Sequence, residues 1–246
     1  MISILLTLSL TSGHQDRQTI PDLGLPRHVE TRPKGFAAGY KPVALTFDDG
    51  PLPSTTPLIL DALREHGAKA TFFVLGSNAV RHPDLLRRIV DEGHDIGLHS
   101  WTHAAKMPMA QAQKEMDDLQ RLIEKETGVK SWLFRSPYGM RSSALAQVAK
   151  ADGYTNVFWT ASAADTATTN PEVVYRNVCF TPNPGEIILM HDVKPHTATA
   201  IPQILDELSR KGFTPIQISQ MLREGKLGVQ RAASKASNRE PSEAKY

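Results

Sequence analysis

From Pro42 to Leu222 the chain repeats one pattern: a short apolar run, a polar break, an amphipathic stretch and, after five of those stretches, a glycine. The apolar runs are Val43–Phe47, Ala70–Leu75, His94–Leu98, Trp132–Phe134, Tyr154–Trp159, Glu186–Met190 and Phe213–Ile216. Their length and their share of β-branched and aromatic residues predict buried strands. The stretches between them predict helices over Pro53–His66, Pro83–Glu92, Met109–Thr127, Ser142–Asp152, Pro171–Val178 and Ala198–Lys211, with a last short one over Ser219–Glu224. Gly67, Gly93, Gly128, Gly153 and Gly212 stand just past five of these, where a helix ends in a left-handed residue. Strict alternation of strand and helix implies a parallel sheet with helices outside, and right-handed crossovers curl such a sheet toward a barrel. The expectation is a single α/β domain, a distorted (β/α) barrel of seven or eight parallel strands. No Gly-rich phosphate loop follows the first run, which disfavours a flat dinucleotide-binding sheet.

The 246 residues suit one large domain, placed at residues 42–224. Residues 1–41 form an N-terminal segment. Within it Ile2–Leu10 is apolar, too short to span a bilayer, and followed by the small residues Thr11-Ser12-Gly13. It reads as an atypical export signal without a basic leading region, or else as a frayed end or short strand. An exported protein is therefore expected, periplasmic, extracellular or in the cell wall. Residues 11–41 read as a leader or an ordered surface wrap, and residues 225–246 as a disordered polar tail. A net charge of +2 is too small to indicate a nucleic-acid partner. The single cysteine, Cys179, excludes an intrachain disulfide and reads as a small buried apolar residue. No other stretch resembles a membrane span, and a monomer is expected.

In a parallel barrel, functional groups gather at the carboxyl ends of the strands. Those ends here are Asp48-Asp49, His99, Arg135, the loop holding Asp165, and His191. Adjacent aspartates at a strand tip repel each other, and a cation would resolve the repulsion; Asp48-Asp49-Gly50-Pro51 also suits a plain turn. His99 and His103 are four residues apart, so a helix or tight turn would put both rings on one side. With Asp49 they make a three-ligand set for a catalytic metal that leaves a position open for water; incidental histidines are the plainer alternative. Asp48 then suits a general base, held ionised by Arg135, although Arg135 equally suits a surface ion pair. Pro137-Tyr138-Gly139 forms a sharp loop whose backbone N–H groups can meet an oxyanion, or an ordinary turn. His191 suits a general acid and Asp165 its positioning partner; a core histidine and a loop cap are the alternatives. His66, His82, His94 and His196 read as helix-end, loop or surface residues.

These stations, in this order, resemble the polysaccharide deacetylase family (carbohydrate esterase family four, which includes chitin and peptidoglycan deacetylases). The segments that carry the resemblance are TFDDG at Thr46–Gly50, HSWTH at His99–His103, RSPY at Arg135–Tyr138 and Leu189-Met190-His191, with TFFVLG at Thr71–Gly76 and GHDIGLHS at Gly93–Ser100 between them. The resemblance implies zinc, or another divalent cation such as cobalt, held by Asp49, His99 and His103. It implies Asp48 as base, His191 as acid, Arg135 positioning Asp48, Asp165 tuning His191, and the Tyr138 N–H at the oxyanion. One motif departs: Thr166 stands where the family has a tryptophan after Asp165, and Ser162 replaces a common acidic residue. That tryptophan forms a wall of the sugar groove, so the departure bears on substrate shape. Leu98 and Ser136 are smaller departures beside the second and third motifs.

The expected activity is metal-dependent removal of N-acetyl groups from N-acetylglucosamine-type residues of an acetylated glycan, such as chitin oligomers or peptidoglycan. The alternatives are an O-acetyl esterase on acetylated xylan and a non-catalytic glycan-binding protein.

Overall fold

The computed structural model describes residues 23–225, so the expectations for Ile2–Leu10 and for most of the C-terminal tail lie outside the described residues. The chain enters along β1 (His28–Val29) and then runs through β2 (Pro42–Asp48), α1 (Thr56–Glu65), β3 (Thr71–Val74), α2 (Gly76–Ala79), α3 (Pro83–Asp91) and β4 (Asp95–Leu98). It continues through α4 (Met109–Thr127), β5 (Leu133–Phe134), a 3-10 turn over Pro137–Gly139, α5 (Ala144–Asp152), β6 (Thr155–Val157) and β7 (Ala161–Ser162). The last elements are α6 (Pro171–Cys179), β8 (Glu186–His191), α7 (Pro195–Arg210), β9 (Thr214–Pro215) and a helix over residues 218–225.

All strand pairs are parallel, in the order β1-β6-β5-β4-β3-β2-β8-β7, with β9 beside the start of β2. The seven expected strands are β2, β3, β4, β5, β6, β8 and β9. The sheet is a curled half-barrel, open between β1 and β7 at its two ends. β1 and β7 are two residues long, too short to show a period in sequence. The glycines expected to close five helices all adopt positive φ, between 59° and 87°. Helix α7 begins at Pro195 rather than Ala198, because proline suits the first helical turn, where its missing N–H costs nothing.

Strand β2 shows how the sheet divides the core. Its side chains alternate, as any strand's must. Val43, Leu45 and Phe47 pack into the large core between sheet and helices. Ala44 joins a second core with Val29, Phe73, Val157, Ile187, Ile216, Ile218, Met221 and Leu222. Thr46 and Asp48 follow Ala44 onto that inner side, so a polar group emerges at the strand's carboxyl end. Cys179 is buried, as expected, and burial pushes its thiol up to about 12.

Residues 23–41 lie along the open side. The Arg27 carbonyl accepts from Asn156 N–H at 3.0 Å and the Val29 carbonyl from Phe158 N–H at 2.7 Å, so this stretch is integrated into the sheet. Gly185 is held against it: a Cβ there would lie 2.5 Å from the Pro33 carbonyl oxygen.

Candidate metal centre and its flanking groups

Asp49, His99 and His103 each offer a ligand atom, and these atoms all lie within 4.8 Å of one another. Asp49 Oδ1 sits 3.5 Å from His99 Nε2 and 3.4 Å from His103 Nε2. His99 Nδ1 donates to the Arg135 carbonyl at 2.8 Å, which fixes the proton on Nδ1 and leaves the Nε2 lone pair facing Asp49. Burial lowers the pKa of His99, so the ring is neutral, as a metal ligand must be. Asp49 Oδ1 is buried without a hydrogen-bond partner. A carboxylate oxygen left unpartnered beside two imidazole nitrogens is uncompensated unless a cation joins them. The donor set of two imidazoles and one carboxylate fits a zinc-type ion.

The backbone is bent to bring these groups together. Asp49, Ser100, His103 and Tyr138 have φ of 77°, 108°, 60° and 57°, values that side chains other than glycine rarely adopt. The His99–His103 spacing is a tight turn, not a helix. His103 N–H donates to Ser100 Oγ at 2.9 Å. Glu115, buried on α4, accepts from Trp101 N–H at 2.9 Å, Thr102 N–H at 3.1 Å and Thr102 Oγ1 at 2.8 Å. Trp101 lies flat on Gly76, where a Cβ would meet its ring at 2.2 Å. Sequence reasoning missed Glu115; nothing in the pattern of an amphipathic helix marks one of its carboxylates as a loop clamp.

Asp48 differs from its neighbour. Its Oδ1 accepts from Arg135 Nη1 at 2.8 Å, while its Oδ2 lies 3.8 Å from His99 Nε2. Arg135 is fully buried: it also donates to Thr46 Oγ1 at 2.8 Å, the Val157 carbonyl at 3.0 Å and the Phe158 carbonyl at 3.4 Å, and its guanidinium lies 4.3 Å from the Phe73 ring centre. It is a buried anchor and not a surface ion pair.

His191 stands at the end of β8. Its Nδ1 bonds to Asp165 Oδ1 at 2.8 Å and its backbone N–H donates to Asp165 Oδ2 at 2.7 Å, so Nε2 is the ring nitrogen outside this pair. Asp165 Oδ2 also accepts from Thr197 Oγ1 at 2.8 Å, and His196 donates to the Asp165 carbonyl at 2.8 Å. Burial works against charge on His191, but the Asp165 hydrogen bond and charge, with Asp48 and Asp49 behind, raise its pKa. Burial likewise opposes charge on Asp165, yet its bonds to His191 and Thr197 hold its pKa low.

Pro137 is buried, and the Tyr138 ring is exposed against His103, centroids 4.4 Å apart. Thr166 is exposed next to buried Asp165. Two of the histidines read as helix-end, loop or surface residues also hold the structure together. His94 is a buried loop residue just before β4, with Nδ1 accepting from Ala70 N–H at 3.2 Å. His196, in the first turn of α7, supports the Asp165 loop. Another buried carboxylate, Asp192, was missed. It accepts from Thr56 Oγ1 at 2.6 Å, and burial, with Asp49 and Asp48 nearby, pushes it up to about 7.

Fold and site together define an α/β half-barrel with a candidate carboxylate–imidazole metal site at the carboxyl ends of its strands. Residues 37–157 match the family model described as polysaccharide deacetylase. A peptidoglycan-N-acetylglucosamine deacetylase of Bacillus cereus is 35% identical over 205 residues, covering 79% of this chain and 96% of the relative. Peptidoglycan-N-acetylglucosamine deacetylase PgdA of Listeria monocytogenes is 35% identical over 202 residues, 81% of this chain and 43% of that protein, so the chain spans about two fifths of this longer relative. The structure of peptidoglycan deacetylase PdaC from Bacillus subtilis matches with a TM-score of 0.74 and 33% identity, covering 82% of this chain and 98% of the other. The chain belongs to the polysaccharide deacetylase family.

Proposed function

We propose that this protein is a metal-dependent hydrolase that removes N-acetyl groups from N-acetylglucosamine-type residues of a glycan, with Asp49, His99 and His103 holding zinc or another divalent cation such as cobalt. One observation carries the reading: a three-ligand cluster with an unpartnered carboxylate oxygen shares one rim with a carboxylate fixed by a buried arginine and an imidazole fixed by a buried aspartate. A divalent ion bound there supplies Lewis acidity to polarise an amide carbonyl and make water nucleophilic near neutral pH.

The protein's own groups do the rest. Arg135 occupies Asp48 Oδ1, so Oδ2 takes the proton of the attacking water. Asp165 holds the His191 proton at Nδ1, so a second proton at Nε2 is delivered to the departing amine as the C–N bond breaks. The Tyr138 N–H is the donor for the developing oxyanion, on a turn that Pro137 anchors in the core. Residues 42–224 form the catalytic unit and residues 23–41 complete its open side. Among the described residues no helix is long and apolar enough to cross a membrane. The names of the relatives support action at the cell wall, which requires export.

The test is acetate release from chitin oligomers, peptidoglycan and acetylated xylan with a defined metal. Release from the N-acetylated substrates that disappears on chelation, and in Asp48→Asn, supports the reading. Release from xylan alone would make the protein an esterase, and full activity after chelation would overturn the metal role.

A further inference from the structure

Strand β3 lies between β2 and β4, the strands that run out into Asp49 and His99, yet it supplies none of the groups assigned above. The residues that follow it, Leu75-Gly76-Ser77-Asn78, are bonded to the turns on both sides. Leu75 N–H donates to the Gly50 carbonyl at 2.9 Å. Gly76 N–H donates to the Ser100 carbonyl and Ser77 N–H to the Trp101 carbonyl, each at 3.0 Å. The fourth bond comes from a side chain: Asn78 Nδ2 donates to the Asp49 carbonyl at 2.7 Å. This short segment therefore ties the turn of the carboxylate ligand to the turn that separates the two histidine ligands.

Three of these bonds use backbone N–H groups, which any residue but proline has. The Asn78 bond depends on the side chain, and it reaches a ligand residue. Asp49 has φ of 77°, a conformation that persists only where its surroundings hold it. The direction of its carbonyl sets its ψ, so a bond to that carbonyl fixes the turn from which its side chain projects. The Asn78 amide can stand only one way round. The Asp49 carbonyl needs a donor, and Asn78 Oδ1 accepts from Arg81 Nη2 at 2.5 Å. Glu115 grips the histidine turn from α4; Asn78 grips the Asp49 turn from the opposite side of the sequence.

We propose that Asn78 is a positioning residue of the metal centre: through the Asp49 carbonyl it holds the left-handed turn that keeps Asp49 Oδ1 beside His99 and His103. The inference rests on the metal-dependent reading and adds to it a half-buried residue outside the ligand set.

The test is the zinc affinity of the full chain, measured by competition with a chromophoric chelator, which reads the site without turnover. Asn78→Ala should bind zinc about 10- to 100-fold more weakly, as expected when a group that orients a ligand from behind is lost. Asn78→Asp keeps the shape and the Arg81 bond but has no donor. Its added negative charge would by itself favour a cation, so weaker binding in this variant isolates the lost hydrogen bond. Asn78→Gln carries the amide on a longer stem and should recover part of the loss. Urea unfolding of the metal-free variants identifies a role in packing alone: a lower midpoint with parental zinc affinity overturns the proposal. Parental affinity in both Asn78→Ala and Asn78→Asp also overturns it and leaves the metal reading standing. A parent chain that binds neither zinc nor cobalt overturns that reading, and the role of Asn78 with it.

Discussion

Asp48 and His191 are register partners: they end the adjacent parallel strands β2 and β8, and their Cα positions pair across the sheet. Residues paired this way project to the same side. The sheet itself therefore sets the two groups that would take and give protons on one rim, each gripped from behind by an opposite charge, Arg135 or Asp165.

The first consequence concerns pH. The pKa of His191 is raised, against its burial, by Asp165. A raised value keeps the ring protonated to higher pH, so an acid role gives activity that falls as pH climbs through that value. Asp165→Asn removes the carboxylate. The alkaline limb of kcat/KM should then move to lower pH, with kcat down about tenfold or more. A pH–rate profile with an unmoved alkaline limb would show that Asp165 serves only the loop.

Arg135 makes four hydrogen bonds from one buried guanidinium, to Asp48, Thr46 and two backbone carbonyls. Lysine has the charge but not the planar fork. Arg135→Lys should cost about 3 kcal/mol of stability and lower kcat more than it raises KM. Urea unfolding and steady-state kinetics check this together. An unchanged unfolding midpoint would contradict the anchoring role.

Glu115 binds three donors of the turn that carries His103. Glu115→Ala frees that turn without touching a ligand atom. Metal affinity should fall about 10- to 100-fold, as for other groups that orient ligands from behind. Competition with a chromophoric chelator measures it, and Glu115→Gln should recover part of the loss. Wild-type affinity in Glu115→Ala would show that the strained backbone holds itself.

Most of the rim was legible in the sequence, because β2, β4 and β8 are apolar runs ending in Asp48, His99 and His191, and strand ends are where a parallel sheet puts its chemistry. The contacts that separate Asp48 from Asp49 lie at the same strand end: Arg135 bonds Asp48, while Asp49 faces His99 and His103. The clamps were not legible. Glu115, Asp192 and Thr197 act across 13, 136 and 32 residues of chain, by hydrogen bonds that leave no local period. The seam between residues 23–41 and β6 was hidden for the same reason: β1 contributes two residues and pairs with a strand far along the chain.

Asp192 makes a steric argument as well. Its carboxylate lies where a Cβ on Gly50 would be, 2.0 Å from Oδ2, and Thr56 holds that carboxylate in place. Gly50→Ala must push the Asp49 turn and the end of β8 apart. The expected result is a loss of about 1–3 kcal/mol in stability together with weaker metal binding. Thermal unfolding with and without metal separates the two effects, and a variant with native stability and affinity would show that Asp192 is free to move.

His94 supplies a pH dependence away from the metal. Its side chain is buried, its Nδ1 accepts from Ala70 N–H, and its Nε2 has no hydrogen-bond partner. Burial, and then the charge of Lys69, bring its pKa down to about 4. The unfolded chain, with an ordinary histidine near 6.5, therefore binds the proton first as pH falls. The sign follows: the contribution is fully present above about 6.5 and is lost progressively as pH drops toward about 4, by up to about 3 kcal/mol. His94→Asn keeps an acceptor for Ala70 and removes the titration. Its stability, measured by urea unfolding across that range, should fall less steeply on the acid side than that of the parent. Equal slopes in the two proteins would mean that His94 takes up its proton in the folded state as readily as in the unfolded one.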